Sequence, residues 1–236
     1  MLERPTLTTA YTDWEKPVIT EGVYPPQEDS QLLIDMMDKT GLARGSRVAD
    51  LCTGSGVAAI AAAEQGASRV TAFDICPRAV HFARKQAVVA DVDIDVHLGS
   101  WARATEFGPY DLVVSNPPYV PHDLTAEDPP LPSHVGPPRA WDAGYDGRLV
   151  LDPLCASVRT LLAAGGTFLL VQSEFAEPRK TLAALAACGL DAEVFTRQSI
   201  PFGPVLSARA QWLEDTGRLE PGRREEELVV IRADRA

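Results

Sequence analysis

The chain holds 236 residues, 45% of them hydrophobic and 23% charged, which suits one α/β domain with a substantial core. Its net charge of −11 disfavours nucleic acid as a partner, because such a surface repels a phosphate backbone at long range. No apolar run approaches the roughly 18 residues that span a bilayer, and the N-terminus MLERPTLTTAYTDWEKP lacks a basic-then-apolar signal pattern, so a cytoplasmic protein without membrane attachment is expected.

From Gln27 to Met37, Leu32, Leu33, Met36 and Met37 recur at helical spacing, with Asp29 or Ser30 as a cap and Gly41 as a stop. Ser46–Leu51 reads as a buried strand, Val57–Gln65 as an alanine-rich helix and Arg69–Phe73 as a second strand. Pro77 suits a helix start, and an amphipathic run follows to Ala90. Asp93–Leu98 alternates as a third strand, and Tyr110–Val114 is a fourth. After SNPPYVP (115–121) comes a proline-rich loop, Val120–Arg139, too long for a simple connection and therefore a functional candidate; His122 and His134 lie in it. A helix is expected near 148–163, then Gly165-Gly166 and the strand Thr167–Val171, a helix near 177–187 and a strand near 192–197. Residues 206–224 carry no clear pattern, and Leu228–Ile231 closes the chain as a strand. Strands alternating with helices predict a mainly parallel sheet whose ligands bind beyond the strands' carboxyl ends.

Cys52, Cys76, Cys155 and Cys188 form no CxxC pair, and no histidine stands at ligand spacing; they are read as reduced packing residues, and no metal site is expected. The stretch VADLCTGSGV (48–57) takes a strand through a glycine turn into a helix. Gly54 and Gly56 let the backbone pass close to a ligand where a Cβ would intrude. Asp50 can accept from a ligand ammonium, and Asp74, ending the second strand, from ribose hydroxyls. A dinucleotide competes, but the loop is not GxGxxG and Asp50 would oppose a pyrophosphate. S-adenosyl-L-methionine, with an ammonium, a ribose and no phosphate, fits better. In LGSWA (98–102), Trp101 offers a flat surface for an adenine, or a core aromatic.

NPPY then reads as chemistry. A planar amide or exocyclic amine nitrogen attacks a methyl poorly, because its lone pair is delocalised. The Asn116 side-chain oxygen and the Pro117 carbonyl can each accept one N–H and aim that nitrogen, while Tyr119 stacks on the planar group. The alternative is a stiff Pro-Pro loop that only caps the sheet.

With these motifs together the sequence resembles class I S-adenosylmethionine-dependent methyltransferases, and within them the HemK-like protein-glutamine methyltransferases. The matching stretches are VADLCTGSG (48–56), AFDI (72–75), SNPPYV (115–120), VYPPQEDSQLL (23–33) and AWDAGYDGRLVLD (140–152). The last two resemble the short branch, which lacks a separate N-terminal helical domain; residues 1–45 are too few for one. They are expected to form an extension and helix lining the pocket, ahead of a methyltransferase domain at 46–236. The resemblance implies a Rossmann-like α/β fold with a seven-stranded, mostly parallel sheet and helices on both faces. It implies that Tyr24, Asp29 and Ser30 line the cofactor or substrate pocket. Asp50, Gly54 and Gly56 would meet the methionine part of S-adenosyl-L-methionine and Asp74 the ribose; Ile75, Ser100, Trp101 and Asn116 would also contact the cofactor, and Asn116 would hold the acceptor nitrogen. It further implies a small zinc-binding activator subunit covering an apolar edge of the sheet. Cys52 replaces the first glycine of the usual loop, and Ser100 stands where an Asp often meets the adenine amine. The loop 121–138 and the segment 212–227 are longer than in the short branch and are expected to flank the substrate entrance. The leading expectation is N-methylation of a protein glutamine, such as that of a translation release factor. The alternatives are a small-molecule N-methyltransferase, a nucleic-acid adenine methyltransferase disfavoured by charge, and a non-catalytic subunit of the same fold.

Overall fold

The computed structural model describes residues 22–125, 131 and 135–236. Helix α1 (Glu28–Thr40) ends where Gly41 turns left-handed (φ 65°) and donates its N–H to the Met37 and Asp38 carbonyls. Strand β1 (Arg47–Leu51) leads to α2 (Val57–Glu64), β2 (Arg69–Asp74) to α3 (Pro77–Val89), and β3 (Asp95–Leu98) to the single turn α4 (Trp101–Ala104). Strand β4 (Tyr110–Ser115) is followed by the NPPY segment, α5 (Leu151–Ser157), β5 (Leu162–Ser173), α6 (Pro178–Ala187), β6 (Asp191–Pro201), α7 (Pro204–Asp215) and β7 (Glu225–Asp234).

The seven strands form one sheet in the order β3-β2-β1-β4-β5-β7-β6, parallel except for β7, which runs antiparallel to both of its neighbours. The central strands are apolar in succession, not in alternation: Leu112, Val113 and Val114 in β4 and Phe168 to Val171 in β5 are fully buried. Helices cover both faces of the sheet there, and each such side chain withdrawn from water contributes about 1.5–3 kcal/mol. Helix α2 has no polar face before its last residue; Val57 to Ala62 are all buried. Its small alanines let it pack against β1, β2, α1 and α3 at once.

Strand order reverses between β1 and β4, and the chain places its glycine turn and its NPPY segment at that point. Leu51 pairs with Ser115, so the glycine turn and the NPPY segment leave the sheet side by side. Ser115 Oγ donates to the Leu51 carbonyl at 2.8 Å and pins the two exits together. A crevice beyond the carboxyl ends of strands at such a reversal is where ligands of open α/β sheets bind.

Three expectations change. The helix expected near 148–163 is only Leu151–Ser157 plus a 3₁₀ turn, because Pro153 is tolerated in a first turn and not deeper in a helix. Gly165-Gly166 lie inside β5, where the register with β4 shifts and a Cβ on Gly166 would stand 2.9 Å from the Tyr110 carbonyl. The unpatterned region holds α7, whose apolar face is interrupted by Arg209, a buried cation that hides the helical period. His134 and most of 126–134 lie outside the described residues.

Candidate active site

A cavity of about 370 Å³ opens beyond the ends of β1, β2 and β4, within the usual range for a small-ligand site. Tyr24, Asp29, Ser30, Asp50, Gly54, Asp74, Ile75, Ser100, Trp101, Asn116, Pro117 and Tyr119 all line it.

On the β1–β2 side, Asp50 is buried at the strand's end. Its Oδ2 accepts from Thr53 Oγ1 at 2.5 Å and from the Ala59 N–H at 3.1 Å. Burial outweighs these bonds and pushes its carboxyl up to about 7. Asp74 Oδ2 accepts from the Gly54 N–H at 2.9 Å and Oδ1 from the Cys76 N–H at 2.8 Å. This carboxylate therefore holds the glycine turn closed, and each oxygen keeps a lone pair for a hydroxyl. Burial raises its carboxyl, against the opposing pull of Arg139. Ile75 stands exposed at the mouth, and Ser100 Oγ accepts from the Ala102 N–H at 3.3 Å, starting the short helix that carries Trp101. Gly56 does not line the cavity. A Cβ there would lie 2.9 Å from Ala83 Cβ, so this glycine serves the contact of α2 with α3. Cys52 takes a left-handed conformation (φ 60°) in the turn, the backbone a glycine would accept without strain.

On the β4 side, the first turn of α1 grips the NPPY segment twice. Asn116 Nδ2 donates to Ser30 Oγ at 3.1 Å, and Tyr119 Oη donates to Asp29 Oδ2 at 2.9 Å. Asp29 Oδ1 accepts from the Ser30 N–H at 2.6 Å. The residue before the helix is Gln27, whose side chain makes no cap. Asp29 and Ser30 thus sit inside the helix and spend their side chains on the strand-four exit. With Nδ2 engaged, the Asn116 carbonyl oxygen is left as the amide's acceptor. Tyr119 is 8% exposed, and burial together with Asp29 raises its phenol well above the ordinary value.

Other residues were not foreseen. Glu226 on β7 is buried behind Tyr24 and Tyr119, and burial pushes its carboxyl up to about 7. Downstream of NPPY, Gly136 packs so tightly on Tyr24 that a Cβ would lie 2.9 Å from its backbone. Arg139 and Trp141 line the cavity, with Arg139 Nη1 4.0 Å from Cys76 Sγ. Arg209 on α7 donates to the Pro121 carbonyl at 2.6 Å, meets His122 Nδ1 at 2.7 Å and stacks 4.7 Å from the Trp141 ring. Two prolines, a glycine and a tryptophan in 136–141 were the available signals; a cation buried in a helix left none. The carboxylates Asp29, Asp50 and Asp74 line this space, with Glu226 behind its wall, a setting for a cationic ligand and against a pyrophosphate.

A family model for the methyltransferase small domain matches residues 22–128. A Methanocaldococcus jannaschii protein provisionally named a protein N5-glutamine methyltransferase is 31% identical over 189 residues, 80% of this chain and 91% of that protein. The release factor glutamine methyltransferase of Deinococcus radiodurans is 37% identical over 177 residues, and the match spans 73% of this chain but 62% of the relative. Among solved structures, a chain of the E. cuniculi Mtq2–Trm112 complex, described as responsible for methylation of the eRF1 termination factor, shares the fold. Its TM-score is 0.61 at 21% identity, over 91% of this chain and 99% of that one. Among the described residues no helix is long and apolar enough to cross a membrane. The chain belongs to the HemK-like family of class I, S-adenosylmethionine-dependent N-methyltransferases, which includes the protein N5-glutamine methyltransferases.

Proposed function

We propose that the chain methylates the side-chain amide nitrogen of a glutamine in a protein of the translation release factor class. One observation carries this reading: the Asn116 amide is held with its nitrogen on Ser30, beside the Pro117 carbonyl, next to the glycine turn. The residues around the cavity suit S-adenosyl-L-methionine. Asp50 Oδ1 makes no hydrogen bond within the described residues and is the natural partner of the ammonium. Asp74 takes the ribose, with Ile75, Ser100 and Trp101 around the adenine, and Tyr24, Asp29 and Ser30 form the wall between cofactor and acceptor. Bound there, S-adenosyl-L-methionine supplies an electrophilic methyl group.

The residues do the rest by position. Asn116 Oδ1 and the Pro117 carbonyl each accept one N–H of the acceptor amide, leaving its lone pair free to point at the methyl carbon. As the nitrogen gains positive charge in the transition state, both dipoles already face it and need not reorganise. The extra proton leaves after the bond forms, so no strong base is required. The names of the relatives support glutamine as the acceptor and a release factor as the protein. An activator subunit is part of the reading. Leu98 on the β3 edge and Val88 and Val89 at the end of α3 are exposed large apolar residues, and the Mtq2–Trm112 complex is the precedent.

The test is incubation with methyl-labelled S-adenosylmethionine and a release factor, followed by mass spectrometry. One methyl group on a glutamine side chain is expected. Label on free amino acids but on no protein would transfer the assignment to small-molecule methylation.

A further inference from the structure

We propose that Ser30 is a positioning residue: its hydroxyl oxygen selects which end of the Asn116 amide faces the acceptor nitrogen. A carboxamide has two nearly isosteric orientations, related by a half-turn about its last side-chain bond. One presents the oxygen to the cavity and accepts an N–H. The other presents its own N–H groups and repels one. Catalysis by this side chain therefore depends on a choice that shape alone does not make.

The neighbours make it. Ser30 is 7% exposed in the first turn of α1, and its Oγ lies 3.1 Å from Asn116 Nδ2. That turn is itself held: the Ser30 N–H donates to Asp29 Oδ1 at 2.6 Å, while Asp29 Oδ2 accepts from Tyr119 Oη at 2.9 Å. Two adjacent residues of one helix therefore fix the NPPY segment at its amide and at its ring. The backbone of Asn116 is held independently, because Ser115 Oγ donates to the Leu51 carbonyl at 2.8 Å. With the strand exit pinned, the amide's remaining freedom is its own rotation. A hydroxyl can accept from Nδ2 or donate to Oδ1, so Ser30 makes the choice with its own proton turned away from Asn116, and a single neutral hydrogen bond then biases it by about tenfold.

The kinetic consequence rests on the methyl-transfer reading above; the orientation itself does not. Asn116 is the only asparagine in the chain. Asparagine labelled with ¹⁵N at its side chain therefore yields one pair of amide signals, readable in the full-length protein without cofactor or acceptor. In the wild type the Nδ2 proton that points at Ser30 is expected to be displaced from free-amide positions and to exchange slowly with water. Ser30→Ala, which removes only an oxygen and preserves the volume of the turn, should return the pair toward free-amide values. Ser30→Thr, which keeps the hydroxyl, should resemble the wild type. With a glutamine acceptor, Ser30→Ala should lower kcat about twofold, since loss of a tenfold bias drops the productive orientation from about nine-tenths to about half, while the cofactor dissociation constant is unchanged and Ser30→Thr restores kcat.

Identical amide signals in wild type and Ser30→Ala would overturn the proposal whatever the acceptor proves to be. So would a wild-type pair at free-amide positions, since the hydroxyl would then be donating to Oδ1. An unchanged kcat in Ser30→Ala would overturn it too. A displaced signal in a protein that methylates no glutamine upholds the orientation and sinks the choice of acceptor alone.

Discussion

Asp50→Asn isolates the charge proposed to meet the cofactor ammonium. In the empty protein, burial raises the Asp50 carboxyl from 3.8 to about 7. A folded-state value above the unfolded one means that the bound proton stabilises the empty fold at low pH. That contribution, about 4 kcal/mol, is lost as pH rises through about 7. The ammonium requires the opposite state, the carboxylate, so binding below pH 7 must expel a proton. Two units below its titration the carboxyl is about 1% ionised, which weakens apparent affinity about 100-fold at pH 5 relative to the plateau. The plateau is short, because an α-amino group itself titrates near about 7.7–8.0. Calorimetry of S-adenosylhomocysteine in two buffers of different ionisation enthalpy would count the protons. Nearly one should be released at pH 5.5, and the affinity should rise close to tenfold per unit up to pH 7. Asp50→Asn should bind about 100-fold more weakly at pH 7.5, the loss of one desolvated charge pair, and show no slope below 7. Glu226 also titrates near 7 but does not line the cavity, so a slope that survived in Asp50→Asn would assign the proton there and refute the argument.

Gly56→Ala should destabilise the fold by about 3 kcal/mol in urea unfolding, since it adds a 2.9 Å contact with Ala83 to a left-handed backbone. Gly217→Ala, also left-handed but with nothing within 4 Å, should cost about 1 kcal/mol; equal effects would contradict the packing role given to Gly56. Arg209→Met removes the donors to Pro121 and the cation over Trp141, and should raise the acceptor KM several-fold while the cofactor affinity holds; a changed cofactor affinity alone would place α7 on the wrong side of the site. Tyr119→Phe leaves a buried Asp29 oxygen without its donor and should cost about 1–3 kcal/mol of stability by thermal unfolding; no loss would mean that the Asp29 contact is not maintained in solution.

Apart from the single turn α4, too short to show a helical period, the strands and helices from Arg47 to Ser115 were legible to within two residues, because buried parallel strands read as apolar runs and the turns between them carry Gly or Pro. The cavity lining was legible wherever a residue type has a narrow chemical use, as at Asp50, Asp74 and Asn116. What escaped was partnership across the fold. Asp29 and Ser30 looked like helix caps because Asp and Ser prefer that place. Nothing local reveals that Ser30 reaches 86 residues along the chain to Asn116, and that Asp29 reaches 90 residues to Tyr119. Gly56 reads the same whether a ligand or a neighbouring helix demands it, and only the distance to Ala83 decides. Arg209 escaped for a related reason. A helix that buries a guanidinium against a loop carbonyl and an indole has no apolar period to detect.

The central claim is that the Asn116 amide oxygen holds the acceptor nitrogen while the cofactor is bound elsewhere, by the β1 and β2 carboxylates. A single-turnover measurement on Asn116→Ala, with saturating cofactor and acceptor, tests it most directly. The account predicts methyl transfer slowed about 10²–10³-fold, as for loss of one preorganised dipole, with the cofactor dissociation constant unchanged. Transfer within threefold of wild type, or a loss of cofactor binding that accounts for the whole defect, would contradict it.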